Sequence, residues 1–193
     1  MQDASKTGYY WQGEIVRLRS FRESDIGPKW QEYQDSHARQ MLEYRIELPV
    51  MSREQYAELL TSPDDDPRRI SLYVENHDGG LVGWLNLFDL DERHGTFGVG
   101  ISIFRDHRGR GYALDALRLA LAYAFEELRM QKCNSACLVM NAASSALHEC
   151  LGFQREGLRR RVAYIGGAYH DEILYGLTHE EYAARWRATQ EPK

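Results

Sequence analysis

Residues 101–114 read I-S-I-F-R-D-H-R-G-R-G-Y-A-L, and the change of period inside this stretch decides the fold. Its first residues end a strand-like run, Thr96 to Phe104. From Gly111 onward Leu114, Leu117, Leu121, Phe125 and Leu128 recur at steps of three and four, the apolar stripe of an amphipathic helix. Between the two, Arg108-Gly109-Arg110-Gly111 is a loop that runs directly into the helix. Glycines there free backbone N–H groups to turn inward, and the helix start adds roughly half a unit of positive charge. Such a loop suits a phosphate or pyrophosphate, with Arg108 and Arg110 as mobile positive charge nearby. The alternative is a plain glycine turn with a solvated basic edge. Two other phosphate loops are excluded: no G-x-x-x-x-G-K-[ST] string occurs, and Gly109-x-Gly111 is followed by Leu114 where a dinucleotide fingerprint needs glycine.

Upstream, Glu14 to Arg19 (E-I-V-R-L-R) alternates as a first strand. Ser24 or Asp25 caps a helix with Pro28 in its first turn and Trp30 and Tyr33 on one face, and S-R-E-Q from Ser52 is a capping box for a second. Ile70 to Glu75 and Leu81 to Leu90 are strands joined by Asn76-His77-Asp78-Gly79-Gly80; with Thr96 to Phe104 they make three antiparallel strands in succession. Downstream, Cys133 to Met140 is strand-like and Ser144 to Leu151 a short helix stopped by Gly152. Phe153 to Leu158 leads to a hairpin, Arg161 to Ile165 and Tyr169 to Leu177, turned by Gly166-Gly167. T-H-E-E at 178–181 opens a last helix. One mixed α/β domain over 14–193 is expected, preceded by a loose arm, 1–13, that docks late.

The chain has 193 residues, 43% hydrophobic and 27% charged, near globular averages. Its 24 basic and 29 acidic residues give a net charge of −5, which argues against a nucleic-acid partner. No apolar run is long enough for a signal peptide or a membrane span, so no membrane partner is expected. Three cysteines without a C-x-x-C pair fit a reducing, cytoplasmic compartment. Cys133 and Cys137 lie four apart on one strand, about 13 Å at 3.3 Å per residue, too far for a disulfide. No histidine–carboxylate spacing suggests a metal.

Taken in order, several motifs resemble the GNAT superfamily of acyl-CoA-dependent N-acetyltransferases. Arg108 to Ala113 matches [QR]-x-x-G-x-[GA], and Asn141 to Phe153 (N-A-A-S-S-A-L-H-E-C-L-G-F) resembles the family's asparagine turn, short helix and L-G-F strand start. Leu81 to Leu87, Arg155 to Arg159 and Gly167 to Tyr175 look like the ribosomal-protein and polyamine branches. The likeness spans Glu14 to Tyr182. It implies a mostly antiparallel, twisted sheet flanked by helices and splayed into a notch for acetyl-CoA as co-substrate, without metal. By resemblance, Arg108, Gly109, Arg110, Gly111, Tyr112 and Ala113 hold the pyrophosphate. The backbone of Ile101, Ser102 and Ile103 holds the pantetheine arm, and Asn141 and Ser144 contact the cofactor.

The implied reaction is direct attack of a primary amine (a protein N-terminus, a polyamine or another small amine) on the thioester, followed by protonation of the thiolate. Many relatives carry a tyrosine donor where this chain has His148; imidazolium can also donate, and the alternative is a histidine packed at the helix surface. Ser144, one turn earlier, is the rival donor or a helix-start serine. Many relatives place a glutamate base near the start of the central strand, where Gly98 and Gly100 stand here. Glu47 is the remaining acidic candidate for base or amine anchor, against a solvated loop carboxylate. Trp84, Asn86 and Phe88 share a strand face that lines the acceptor site or packs in the core; Tyr164 and Tyr169 carry the same two readings, and His94 and His170 read as exposed. Antibiotic or amino-acid acetylation, a CoA-binding sensor without catalysis, and a homodimer stay open.

Overall fold

The computed structural model describes residues 10–36, 41, 50–62 and 65–186. Strand β1, Val16–Arg19, is followed by a short turn and helix α1, Ile26–Tyr33. Helix α2, Arg53–Thr61, begins at Ser52, whose hydroxyl accepts from Gln55 N while Gln55 Oε1 accepts from Ser52 N, the reciprocal cap legible in S-R-E-Q. Strands β2, Ile70–Asn76, β3, Leu81–Asp91, and β4, Thr96–Ile103, form the expected antiparallel meander. Helix α3, Tyr112–Ala122, continues into a π-helical turn, Tyr123–Glu127, and returns the chain to β5, Lys132–Leu138, which runs parallel to β4. Helix α4, Ala142–Leu151, then β6, Gln154–Ile165, β7, Ala168–Thr178, and α5, His179–Trp186, complete the chain.

The seven strands make one sheet, ordered β1-β2-β3-β4-β5-β7-β6. Leu85 and Leu87 on β3 and Phe97 on β4 point to the side covered by α3, where Leu117, Leu121 and Phe125 meet them as the apolar stripe requires. Ala116, Ala120 and Ala124 are fully buried beside that stripe. Their small side chains let the helix axis lie close to the sheet.

Two elements differ from expectation. β1 starts at Val16 rather than Glu14, because the N–H groups of Ile15 and Val16 donate to Asp115 Oδ2 at 2.8 and 3.0 Å while Gly13 N closes a turn on Val16 O at 2.8 Å. The end of the N-terminal segment is thereby held: Leu18 N donates to Trp11 O at 2.8 Å, and the Trp11 ring lies 4.6 Å from that of Tyr123. β6 is one long strand where a lead-in and a separate strand are expected. A bulge joins them: the register shifts between Arg159 and Ala163, and Arg161, at φ 57°, donates its N–H to Asp171 Oδ1 at 2.9 Å.

Candidate active site

β4 and β5 are paired only through Thr96–Lys132, Phe97–Cys133 and Gly98–Asn134. Beyond those residues β4 follows β3 as far as Ile103 and β5 follows β7 as far as Leu138. The two parallel strands therefore part into a wedge at their C-terminal ends. Ile101, Ser102 and Ile103 lie on the β4 wall and are half-buried. The Ile103 carbonyl already accepts from Arg108 Nε at 2.9 Å, so one of its two lone pairs is used within the protein.

At the mouth of the wedge the chain turns into α3 through Arg108, Gly109, Arg110 and Gly111. Gly109 and Gly111 have φ of +74° and +83°, and a Cβ on Gly109 would meet nothing within 4 Å. Among the described residues no acceptor takes the backbone N–H groups of Gly109 to Leu114, Tyr112 and Ala113 included. This row of donors at a helix start fits a pyrophosphate. The arginines depart from the expectation of mobile charge. Arg108 Nη2 is 2.8 Å from Glu32 Oε1, and Arg110 Nη2 donates to the Asp106 carbonyl at 2.9 Å. Arg105 adds a third tie, 2.6 Å from Asp35 Oδ2, and Glu32 Oε2 accepts from Arg105 N at 3.1 Å. Glu32 belongs to α1 and Asp35 follows it, so the loop is strapped to that helix.

On the other wall, Asn141 Oδ1 accepts from Ser144 N at 3.1 Å and so caps α4. One turn on, His148 is only 9% exposed. Its ring stacks on Tyr175 at 4.5 Å and meets Phe153 edge-on at 5.1 Å. Nδ1 lies 2.7 Å from the Ser144 carbonyl and Nε2 lies 2.8 Å from Ser135 Oγ. Burial pushes the imidazole below its ordinary pKa, opposed only by the bond to Ser144. The ring is thus held neutral, and neither nitrogen is turned outward. The Ser144 hydroxyl stands 3.5 Å from Nδ1, a loose approach, so its backbone rather than its side chain fixes the histidine. Ser135, half-buried on β5, was not singled out from the sequence. Its signal is the row Cys133, Ser135, Cys137, in which one hydroxyl interrupts two buried thiols on the same strand face.

The absent strand glutamate has a steric counterpart. Phe88 is opposite Gly98 in the β3–β4 register, and a Cβ at Gly98 would run into its ring, whose Cε1 also lies 3.6 Å from where a Gly100 Cβ would stand. An aromatic ring therefore fills the place a longer β4 side chain would take. Gly98→Ala is expected to lower stability by about 1–3 kcal/mol, the usual range for overpacking. In a Phe88→Ala background the same change should be within about 0.5 kcal/mol of neutral. Urea denaturation of the four proteins of this cycle measures the coupling, and additive losses would contradict the assignment.

Trp84, Asn86 and Phe88 share the half-buried face of β3, and Lys29 Nζ, from α1, sits 4.4 Å from the Trp84 ring centroid. Tyr164 and Tyr169 are exposed and touch each other, ring centroids 5.0 Å apart, and His94 is exposed, whereas His170 is half-buried with Nε2 donating to the Ile165 carbonyl at 3.1 Å. Glu47 lies outside the described residues. Among the described residues no three His, Cys, Asp or Glu side chains gather as a metal site, and no helix is long and apolar enough to cross a membrane.

The wedge, the glycine loop at its mouth and the capped helix on its far wall all lie within the stretch that a family comparison matches. The model of the acetyltransferase (GNAT) domain matches residues 16–154. The chain belongs to the GNAT acetyltransferases. Similar proteins include an SPbeta prophage-derived uncharacterized N-acetyltransferase of Bacillus subtilis (strain 168), YokL, 32% identical over 173 residues, covering 90% of this chain and 95% of that one. A spermidine N(1)-acetyltransferase of Vibrio cholerae is 29% identical over 147 residues, 76% of this chain and 85% of the relative. The crystal structure of spermidine N-acetyltransferase from Vibrio cholerae in complex with CoA and spermine shares the fold, with a TM-score of 0.77 at 24% identity, covering 86% of this chain and 97% of that one. As a GNAT enzyme the chain is an N-acetyltransferase with acetyl-CoA as co-substrate.

Proposed function

We propose that this acetyltransferase moves the acetyl group of acetyl-CoA directly to a primary amine in a ternary complex, and that a polyamine of the spermidine class is the first acceptor to test. The observation that carries the reading is the wedge with unpaired N–H groups at its mouth: donors on the loop and at the start of α3 suit the pyrophosphate, and the parted strands leave a slot for the pantetheine arm. Direct transfer needs nothing else from the protein than a slot that holds the thioester, a path for the amine and a group that takes and returns one proton. The relationship to a spermidine N(1)-acetyltransferase supports the acceptor class.

Acetyl-CoA binds the native chain and not the unfolded one, so at 100 times its dissociation constant it should stabilise the fold by about 2.7 kcal/mol. Thermal unfolding at increasing acetyl-CoA measures this, with NADH and ATP as weak controls. No shift at millimolar acetyl-CoA would defeat the reading. Release of free CoA with spermidine, a peptide with a free N-terminus and free amino acids then ranks the acceptors. A stabilised protein that releases CoA with none of them would be a sensor instead.

A further inference from the structure

His148 and Ser135 form a hydrogen-bonded pair whose polarity the geometry assigns. The Ser144 carbonyl can only accept, so His148 Nδ1 carries the proton of the 2.7 Å bond between them. In the neutral ring Nε2 then has a lone pair, and the Ser135 hydroxyl, 2.8 Å away, donates to it. Hydroxyl, imidazole and a carbonyl that fixes the tautomer stand in the order of a nucleophile–base–orienter array. Tyr175 stacks on one face of the ring and Phe153 meets it edge-on, so with Nδ1 bound to the Ser144 carbonyl its hydrogen-bonding outlet toward the wedge is Ser135. Ser135 follows Asn134, the last β5 residue paired to β4, and its Oγ is 3.4 Å from the Val99 carbonyl on the opposite strand. The hydroxyl therefore sits in the crotch of the wedge. Gly98 and Gly100, with Phe88 over them, offer no ionisable group from β4.

We propose that Ser135 is the catalytic hydroxyl of this enzyme and that His148 is the proton reservoir behind it, a relay residue that does not itself touch substrate. This rests on the acetyltransferase reading. As the amine nitrogen bonds to the thioester carbon, Ser135 Oγ takes a proton from that nitrogen while its own proton passes to His148 Nε2. The ring becomes imidazolium, still donating from Nδ1 to Ser144. When the carbon–sulfur bond breaks, Nε2–H returns its proton to Ser135 and Ser135 gives one to the departing thiolate. One proton has moved from amine to thiol and the pair is restored. Nitrogen and sulfur are bonded to the same carbon at that moment, so one hydroxyl serves both. Because burial disfavours the imidazolium, the borrowed proton is returned readily.

The test uses the purified chain, acetyl-CoA and whichever amine gives CoA release. Ser135→Ala should lower kcat about 10²-fold or more with acetyl-CoA affinity within twofold of wild type, and Ser135→Thr should recover part of the rate. His148→Phe, which keeps a ring against Tyr175, should lower kcat over the same range. In wild type kcat should fall as acidity protonates His148, at a pH below its ordinary 6.5; the Phe variant should lose that limb. The groups facing the ring are Ser135 on β5, Ser144 on α4, Phe153 and Tyr175; the charged pair nearby, Arg155 with Glu149, is exposed and joined at 2.6 Å. An NMR titration adds a readout independent of turnover. The Ser135 hydroxyl donates to neutral Nε2 but accepts from Nε2–H of the imidazolium, and the charge-assisted bond is the stronger, so the His148 pKa should fall further in Ser135→Ala. Ser135→Ala with kcat within threefold of an active wild type would overturn the proposal, as would an acetyl group found on Ser135, since a relay makes no bond to carbon. A wild type that releases CoA with no amine would instead overturn the acetyltransferase reading beneath it.

Discussion

Arg19→Ala is expected to lower the stability of the fold by about 3–5 kcal/mol, the usual penalty for removing one partner of a buried ion pair. Arg19 lies on β1 and is 6% exposed. Its Nη1 and Nη2 each meet a different oxygen of Asp25 at 2.8 Å, and its Nε meets Glu75 Oε2 at 2.5 Å. Asp25 precedes α1 and Glu75 is on β2, so one guanidinium ties a helix start to two strands. Without it Asp25, 2% exposed, keeps among the described residues only the backbone N–H of Arg22 at 2.7 Å, whereas Glu75 still has the half-exposed Arg22 guanidinium at 2.7 Å. Two buried carboxylates would then lie together with three of these five hydrogen bonds gone. Urea denaturation at pH 7.5 reads the effect, and a loss under about 1 kcal/mol would show that the network does little.

Gly111→Asp should weaken acetyl-CoA by about tenfold or more. A charge at a helix N-terminus is worth up to about 2 kcal/mol, and 1.4 kcal/mol is tenfold in affinity. The carboxylate would sit at the residue that opens α3, against the pyrophosphate expected there. The backbone contribution must be separated from the electrostatic one, because Gly111 has φ +83° and its Cβ would stand 3.3 Å from Ile15 Cδ1. Gly111→Ala carries the same strain without the charge. Titration calorimetry should show a large loss for Asp and a small one for Ala, while both lose similar stability in thermal unfolding. Equal affinities for Asp and wild type would make the loop only a turn. Arg108→Glu is a less direct probe, because it sets a second carboxylate against Glu32 and loosens the strap to α1.

The order of strands and helices was legible because it depends on near-neighbour chemistry. Period two changes to period 3.6 at Gly111, Ser52 and Thr178 announce reciprocal caps, and Gly152 and Gly166-Gly167 mark positive φ. What stayed hidden depends on residues brought together from far apart. Arg19 reaches Glu75 across 56 positions, and Arg108 reaches Glu32 across 76, so the loop arginines read as free charge when they are anchors. The partnership of Ser135 with His148 needs β5 and α4 to meet, which no local pattern states. Phe88 and Gly98 are the intermediate case: a hairpin register would have paired them, and the missing glutamate would then have read as space already filled.

The wedge has a mechanical side. Three residue pairs join β4 to β5, so the sheet is a four-stranded leaf and a three-stranded leaf meeting at a short seam, with α3 as the chain's crossing between them. A molecule lying in the wedge touches both leaves and acts as a removable rivet. Grip on the ligand and cohesion of the sheet then draw on one line of the molecule, and substitutions that tighten the first also stiffen the second.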